Sequence, residues 1–292
     1  MTAARTLLLT ALAMLAFAGN SLLCRVALKE TAIDAVTFTG IRLASGALML
    51  WLLLRLRREP LAATGNWRAA AALFVYAAAF SYAYLQLDAG TGALLLFGAV
   101  QLCMVVFGLL RGERLNPQQA LGFALATGGL VVLLLPGASA PPLVGGLLML
   151  LSGLAWGAYT LLGRQAGVPL AATAGNFIRA LPFAALLLLP FLDQLRWDLP
   201  GLAYALVSGA LTSGVGYAIW YSALPGLGAL QAASVQLSVP VLAALGGALL
   251  LGEAISLRLA LVSVAVLGGI ALVLRAKFQV VRSPAQPPMV DR

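Results

Sequence analysis

Hydrophobic residues run along this chain in ten long blocks, with short polar connections between them. A helix that spans a bilayer needs about 20 apolar residues, whereas the strands of a membrane barrel alternate apolar and polar positions over about 10 residues. The blocks are continuously apolar and too long for barrel strands, so the pattern predicts transmembrane helices. These are Thr6–Lys29, Ala35–Leu56, Trp67–Gln86, Thr91–Leu110, Pro117–Leu135, Leu143–Gly163, Ala171–Phe191, Pro200–Ala223, Ala229–Leu251 and Ser256–Lys277.

Composition supports this reading. Of the 292 residues, 62% are hydrophobic and only 9% are charged. A soluble domain carries about 25% charged residues, so this chain has too few charges to cover a surface that faces water. The connections between the blocks are short and leave no room for a soluble domain. The sequence therefore predicts an all-α integral membrane protein.

The first block resembles a cleavable signal peptide, because Arg5 precedes it and Ala16-Phe17-Ala18 lies towards its end. The segment that follows, from Gly19 to Arg25, nevertheless has a counterpart between Gly157 and Arg164. Cleavage would remove the first block and leave its counterpart in the second half without a partner. We therefore expect the first block to stay in the protein as a helix.

The two halves of the chain carry the same short motifs at matching positions. Each half holds five predicted spans, an odd number, so the second half must lie upside down relative to the first. Inverted halves around a shared midplane site are typical of alternating-access transporters. We predict repeats over residues 6–135 and 143–277, and a disordered cytoplasmic tail over 278–292. The matching motifs are Gly90–Leu94 with Gly226–Leu230, Gly112-Glu113 with Gly252-Glu253, and Gly128-Gly129 with Gly268-Gly269.

Positive charge predicts the orientation in the membrane. Most of the 18 lysines and arginines lie in one alternate set of connections, together with both chain ends. Cytoplasmic loops are the ones enriched in these residues, so both termini should be cytoplasmic. The net charge of +9 then reflects orientation, and nucleic acid is not an expected partner. The opposite set of connections holds only Arg25, Lys29, Arg196 and Arg258.

Several kinds of chemistry have no residues to support them. The chain has no histidine and no P-loop motif, which excludes metal–histidine sites, histidine-dependent triads and a P-loop ATPase. Cys24 and Cys103 form no metal-ligand pattern, and we expect them to be unpaired small hydrophobes. No acidic residue lies in the middle of a predicted span. We expect no cofactor, no metal and no obligatory proton coupling.

Four segments of the second half resemble the signature of the drug/metabolite transporter superfamily, and specifically its EamA-type exporters. The resemblance extends over about Leu7 to Arg275, with one such unit in each half. Within this group the chain is similar to bacterial exporters of aromatic amino acids. The segments are Tyr221–Leu224, Pro240-Val241, Leu251–Glu253 and Gly268–Ile270.

This resemblance implies ten helices in an inverted repeat, a bacterial inner membrane, and export of amino acids or related metabolites. It also implies a central cavity lined by helices 1, 3, 4, 6, 8 and 9. The first half has Val100 where the second has Pro240. We therefore assign Pro240 a structural role and expect a kink in the ninth span alone.

Aromatic and amide residues cluster on the helices that the resemblance assigns to the cavity. Trp156 and Tyr159 share one helical face, and so do Tyr217 and Trp220. Such rings can stack on an aromatic substrate, and amides can hydrogen-bond a zwitterion. Interfacial anchoring and contacts between helices are alternative roles. The candidate substrate-binding residues are Asn20, Tyr82, Gln101, Trp156, Tyr159, Tyr217, Trp220 and Gln236.

Four charged residues are expected to have structural roles. Arg42 and Arg179 share an Ile-Arg context about two turns inside their spans, from where an arginine can extend towards the membrane surface. Glu113 and Glu253 end spans and should pair with arginines that are nearby in sequence. Those arginines are Arg111, Arg114 and Arg258.

The sequence thus predicts a secondary transporter that exports small amphipathic metabolites by alternating access. We expect it to be a monomer. Aromatic or bulky apolar amino acids are the expected substrates. Membrane lipid is the other expected partner, because the helices lie in the bilayer. A nucleotide-sugar or drug transporter of the same superfamily is the main alternative, although a phosphorylated substrate would need several cationic residues in the cavity. A membrane enzyme is another alternative, and it would need paired catalytic groups. A channel is a third alternative, which would differ from a transporter by having no occluding conformational cycle.

Overall fold

A computed structural model of the chain describes residues 2–58, 65–112, 114–137, 139–163, 168–227 and 229–282. All regular structure in these ranges is helical, without strands. Nine of the helices described there are long and apolar enough to cross a membrane. The helix Trp67–Tyr84 is less apolar because it carries Trp67, Arg68 and three tyrosines. The predicted all-α membrane architecture is confirmed.

The helices follow the predicted spans closely, and we number them α1 to α10. Two of them are interrupted: α8 has three consecutive segments and α9 has two. The bounds are α1 Ala3–Glu30, α2 Ala35–Leu56, α3 Trp67–Tyr84, α4 Ala89–Leu110, α5 Pro117–Leu134, α6 Leu143–Gly163, α7 Pro169–Leu188, α8 Leu199–Val207, Ser208–Val215 and Gly216–Ala223, α9 Ala229–Gln236 and Ser238–Leu251, and α10 Leu257–Arg282.

Polar residues in the connections start several helices. The side chains of Asp34, Asn66 and Asp198 each accept a hydrogen bond from a backbone N–H in the first turn of α2, α3 and α8. Asn116 caps α5 in the same way, and Pro117 follows it. These caps satisfy N–H groups that have no partner within the helix, so the connections can stay short.

The helix packing has pseudo-two-fold symmetry, because exchanging the two halves of the chain leaves the pattern of helix contacts unchanged. Three pairs join equivalent helices: α2 with α7, α4 with α9, and α5 with α10. Other contacts come in matched sets, because α3 packs against α6 and α7 while the equivalent α8 packs against α1 and α2. Likewise, α4 contacts α6 and α9 contacts α1. This arrangement is what two inverted five-helix repeats require.

The helices α8 and α9 depart from regular geometry. α9 is broken at Leu237, because Pro240 has no N–H to donate to the carbonyl of Gln236. The middle segment of α8, Ser208–Val215, is π-helical. The expectation of a kink in the ninth span alone is based on proline, and a π-helical segment distorts a helix without any proline.

The end of α10 differs from the sequence expectation, and the end of α9 requires a glycine. α10 continues to Arg282, so the first residues of the predicted tail are helical, and residues 283–292 lie outside the described part. α9 ends at Gly252, which has φ +66. This left-handed conformation favours glycine, and it turns the following Glu253 back so that its N–H bonds to the carbonyl of Gly247.

Candidate functional site

A cavity of about 680 Å³ lies in the centre of the helix bundle. Each of the six predicted helices contributes to its wall, and α5, α7 and α10 contribute as well. The volume falls within the roughly 300–1,000 Å³ that is usual for small-molecule sites. Every predicted substrate-binding residue except Tyr82 lines it, namely Asn20, Gln101, Trp156, Tyr159, Tyr217, Trp220 and Gln236.

Tyr82 lies outside the cavity wall, and a different tyrosine of α3 takes its place. Tyr82 is a candidate because Tyr82-Ala83 repeats Tyr217-Ala218 of the second half. The helix holds an earlier Tyr-Ala pair, however, and its tyrosine, Tyr76, is the one that lines the cavity. Tyr76 and Phe80 lie one turn apart and both face the cavity. Tyr82 follows Phe80 by about half a turn, so it is half-buried on another face of the helix.

Four aromatic rings meet at the middle of the cavity. The ring of Trp156 is stacked on Tyr159 and Tyr217, with ring centres 5.2 and 5.4 Å apart. Its centre lies 4.8 Å from the tilted ring of Tyr76. Trp156 is only half-buried, so part of its surface is left for a ligand. This cluster offers a flat apolar surface suited to an aromatic or bulky aliphatic group.

Asn20 connects this cluster to the π-helical segment of α8. Its Oδ1 accepts hydrogen bonds from Ser208 Oγ at 2.8 Å and from Thr212 Oγ1 at 3.3 Å. Its Nδ2 donates to Tyr76 Oη at 3.5 Å. The amide is therefore held by protein groups on both sides, and it fixes the position of the Tyr76 hydroxyl.

A second polar group lies between α7 and the last segment of α8. Thr173 Oγ1 is 3.1 Å from Tyr221 Oη and 3.5 Å from Tyr159 Oη. Thr173 and Tyr221 both line the cavity, and so does Asn176. The sequence does hold a signal for Tyr221, since it follows Tyr217 by four residues and shares its helical face. No comparable signal marks the residues of α7.

Arg42 lies directly behind the cavity wall and is 2% exposed. Its Nη2 donates to Tyr76 Oη at 2.8 Å, and its guanidinium carbon lies 4.8 Å from the ring centre of Phe80 and 5.2 Å from that of Tyr76. Nη1 has no hydrogen-bond partner among the described residues. The side chain thus does not extend to the membrane surface as expected, because the rings of α3 hold it inside.

No carboxylate pairs with this buried charge among the described residues. An arginine at the centre of a membrane helix costs about 2.5–3.5 kcal/mol on insertion scales, and a cation–π contact returns about 0.5–2 kcal/mol. The equivalent Arg179 is different, since it is half-buried and donates to the carbonyl of Gly175. The two arginines are related by sequence but not by environment.

An ion-pair cluster closes one end of the cavity. Arg25 Nε lies 2.9 Å from Glu253 Oε1, and Arg25 Nη2 lies 3.0 Å from Asp88 Oδ1. Arg25 also donates to the carbonyl of Tyr84 at 3.0 Å, while Glu253 Oε2 accepts from the N–H of Ala89 at 2.8 Å. This Arg25 cluster, formed by Arg25, Asp88 and Glu253, joins the ends of α1, α3, α4 and α9.

The prediction that Glu253 pairs with an arginine nearby in sequence is wrong. Arg258 instead donates to the backbone carbonyls of Val132 and Leu135 at the end of α5. Glu253 finds its partner on α1 because the left-handed turn at Gly252 directs it towards the bundle. Glu113, its equivalent in the first half, lies outside the described residues.

The opposite end of the cavity is open. There the wall includes Arg111 and Gly163, which are exposed at the ends of α4 and α6. At the end beneath the Arg25 cluster, in contrast, the wall consists of buried residues such as Ser21, Phe80 and Leu96. Among the described residues, the cavity wall therefore reaches the protein surface at the Arg111 end and is buried at the end next to the Arg25 cluster.

Comparisons with known proteins agree with this architecture. A model of the EamA-like transporter family matches residues 4–135 and 143–275. An uncharacterized protein of Pseudomonas aeruginosa is 76% identical over 92% of this chain and 94% of its own length. An uncharacterized transporter of Archaeoglobus fulgidus is 27% identical over 82% of this chain and 87% of its own length. A solved crystal structure has the same fold, with a TM-score of 0.65 and 19% identity, and covers 96% of this chain and 99% of that chain.

Proposed function

Because this chain belongs to the EamA-like transporter family, and is therefore a multi-pass membrane transporter, we propose that it exports aromatic or bulky apolar amino acids from the cytoplasm. The observation that supports this substrate class is the half-buried Trp156, stacked on two tyrosines in a mid-membrane cavity. An aromatic ring gains roughly 0.5–1.5 kcal/mol from such stacking, beyond the burial of its area. Hydroxyl groups surround the rings and can bind the polar end of the same molecule.

Alternating access is the mechanism that this geometry favours. With both termini in the cytoplasm, as the arginine distribution predicts, the open end at Arg111 faces the cytoplasm and the Arg25 cluster faces the outside. Substrate would enter from the cytoplasm and reach the aromatic cluster. Exit would require the Arg25 cluster to separate while the cytoplasmic end closes, which rocking of the two repeats provides.

The export is proposed to be facilitative. No acidic residue lines the cavity in the described part of the chain, so no carboxylate there can carry a proton with the substrate. Substrate would then move down its own gradient.

The lining also disfavours a nucleotide-sugar substrate. Phosphate groups favour several arginines, whereas the only arginine on the wall among the described residues is Arg111 at the open end.

Counterflow in liposomes tests the substrate class. Purified protein is reconstituted in vesicles loaded with unlabelled phenylalanine, and uptake of labelled phenylalanine is followed, with protein-free vesicles as the control. We expect rapid uptake that tryptophan and leucine inhibit, and that glutamate and a nucleotide sugar do not. Inhibition by the nucleotide sugar alone, or no uptake of any amino acid in the panel, would contradict the proposal.

A further inference from the structure

Resting on the proposed function, we propose that Tyr76 binds the carboxylate of the substrate and that Arg42 positions it to do so. Tyr76 donates its hydroxyl proton to the carboxylate from the cavity wall. Arg42 lies behind the wall, holds the hydroxyl oxygen and supplies positive charge. The pair thereby selects substrates that carry an anionic group next to their apolar side chain.

The hydrogen bonds of Tyr76 determine the direction in which its hydroxyl acts. Tyr76 Oη accepts from Arg42 Nη2 at 2.8 Å and from Asn20 Nδ2 at 3.5 Å. A phenolic oxygen with two donors directed at it has only its own proton left to offer. No acceptor for this proton is found among the described residues, and Tyr76 lines the cavity. The acceptor is therefore expected to come from a ligand.

The charge of Arg42 explains why that acceptor should be an anion. The ion pairs within the described part of the chain involve Arg25 and Lys29, and none involves Arg42. Arg42 is nearly completely buried, and its Nη1 lacks a hydrogen-bond partner among the same residues. A positive charge acts strongly on an anion in such a low-dielectric site. Because its hydrogen bond polarises the Tyr76 hydroxyl, Arg42 also makes that hydroxyl a better donor.

Asn20 changes its role in this arrangement. The sequence suggested that its amide binds the substrate, but Oδ1 is occupied by Ser208 and Thr212, and Nδ2 is directed at Tyr76. Asn20 thus acts as a second positioning residue. The carboxylate would lie beside Tyr76, while the substrate side chain lies against Trp156, whose ring centre is 4.8 Å from that of Tyr76.

The test compares phenylalanine with phenylalaninamide, which keeps the ring and the amine but lacks the carboxylate. Binding to the full-length protein is measured by calorimetry, and KM is measured by counterflow. Loss of a hydrogen bond to a charged group should weaken phenylalanine binding about tenfold or more in Tyr76→Phe. Binding of phenylalaninamide should change little. The matched control is Tyr82→Phe, since Tyr82 is on the same helix but outside the cavity wall.

Variants of Arg42 separate positioning from packing. Arg42→Met should reduce the preference for phenylalanine over phenylalaninamide by about tenfold, and Arg42→Lys should restore part of it, because lysine keeps the charge. A preference that is unchanged in Tyr76→Phe would overturn the proposal, as would equal losses for both compounds in Tyr76→Phe and Arg42→Met. If the unaltered protein binds neither compound, the proposed function fails and this inference fails with it. If Arg42→Met does not fold, Tyr76→Phe decides the matter.

Discussion

Replacing Arg25 by alanine is expected to open the closed end of the cavity. Arg25 forms two ion pairs and a hydrogen bond to a backbone carbonyl there. Its side chain and that of Glu253 are 8% and 6% exposed, whereas that of Asp88 is 48% exposed. The pair with Glu253 should therefore dominate, because water screens the pair with Asp88.

The size of the effect follows from this burial. Breaking a buried ion pair by removing one partner costs about 3–5 kcal/mol, since the other charge is left unpaired. Opening lets Glu253 reach water, so this energy destabilises the closed form in particular. Taking about 3 kcal/mol, the ratio of open to closed protein at this end should rise about 100-fold.

Cysteine labelling measures this opening. Ser21 lines the closed end of the cavity, one turn before Arg25 on α1. In a background with Cys24→Ala and Cys103→Ala, Ser21→Cys is treated with a membrane-impermeant maleimide from the outer side. We expect little labelling with Arg25 present and rapid labelling in Arg25→Ala. The matched control is Lys29→Ala, which removes the same charge from an exposed pair at the end of α1.

Two outcomes would refute this reasoning. One is an Arg25→Ala protein that is folded and labels at Ser21→Cys as slowly as its parent. The other is equal acceleration by Lys29→Ala, which would show that general loss of positive charge matters rather than the Arg25 cluster.

Three further predictions follow from the same site and topology. Trp156→Ala should raise the KM for phenylalanine about tenfold by removing the stacking surface, whereas Trp197→Ala, at an exposed tryptophan, should not; equal KM values would show that Trp156 only packs. With cytoplasmic termini, a cysteine at Gly137 should label from outside and one at Ser283 only from inside, and the reverse pattern would contradict the topology. With equal substrate on both sides of the vesicle membrane, an imposed pH gradient should cause no net accumulation; accumulation that an uncoupler abolishes would disprove facilitative export.

The hydrophobic pattern predicted most of the fold. The long apolar blocks and the repeated glycine motifs depend on local sequence, and helix periodicity correctly placed Trp156 and Tyr159 on one face that lines the cavity. Matching of the two repeats selected Tyr82, but a Tyr-Ala pair occurs twice in α3 and the match alone does not say which one faces inwards.

Contacts between distant parts of the chain could not be predicted in this way. The partner of Glu253 is Arg25, from the other repeat, rather than the nearby Arg258. Distance from the helix end suggested that Arg42 reaches the membrane surface, but rings of α3 enclose it. The π-helical segment of α8 depends on backbone hydrogen bonding, which the hydrophobic pattern does not indicate.

A crystal structure of the protein with 4-iodophenylalanine would show where the substrate binds, because anomalous scattering locates the iodine. We expect an iodine peak beside the ring of Trp156 and the carboxylate within hydrogen-bond distance of Tyr76 Oη. An iodine peak outside the cavity, or a ligand in the cavity with its ring away from Trp156, would contradict this expectation.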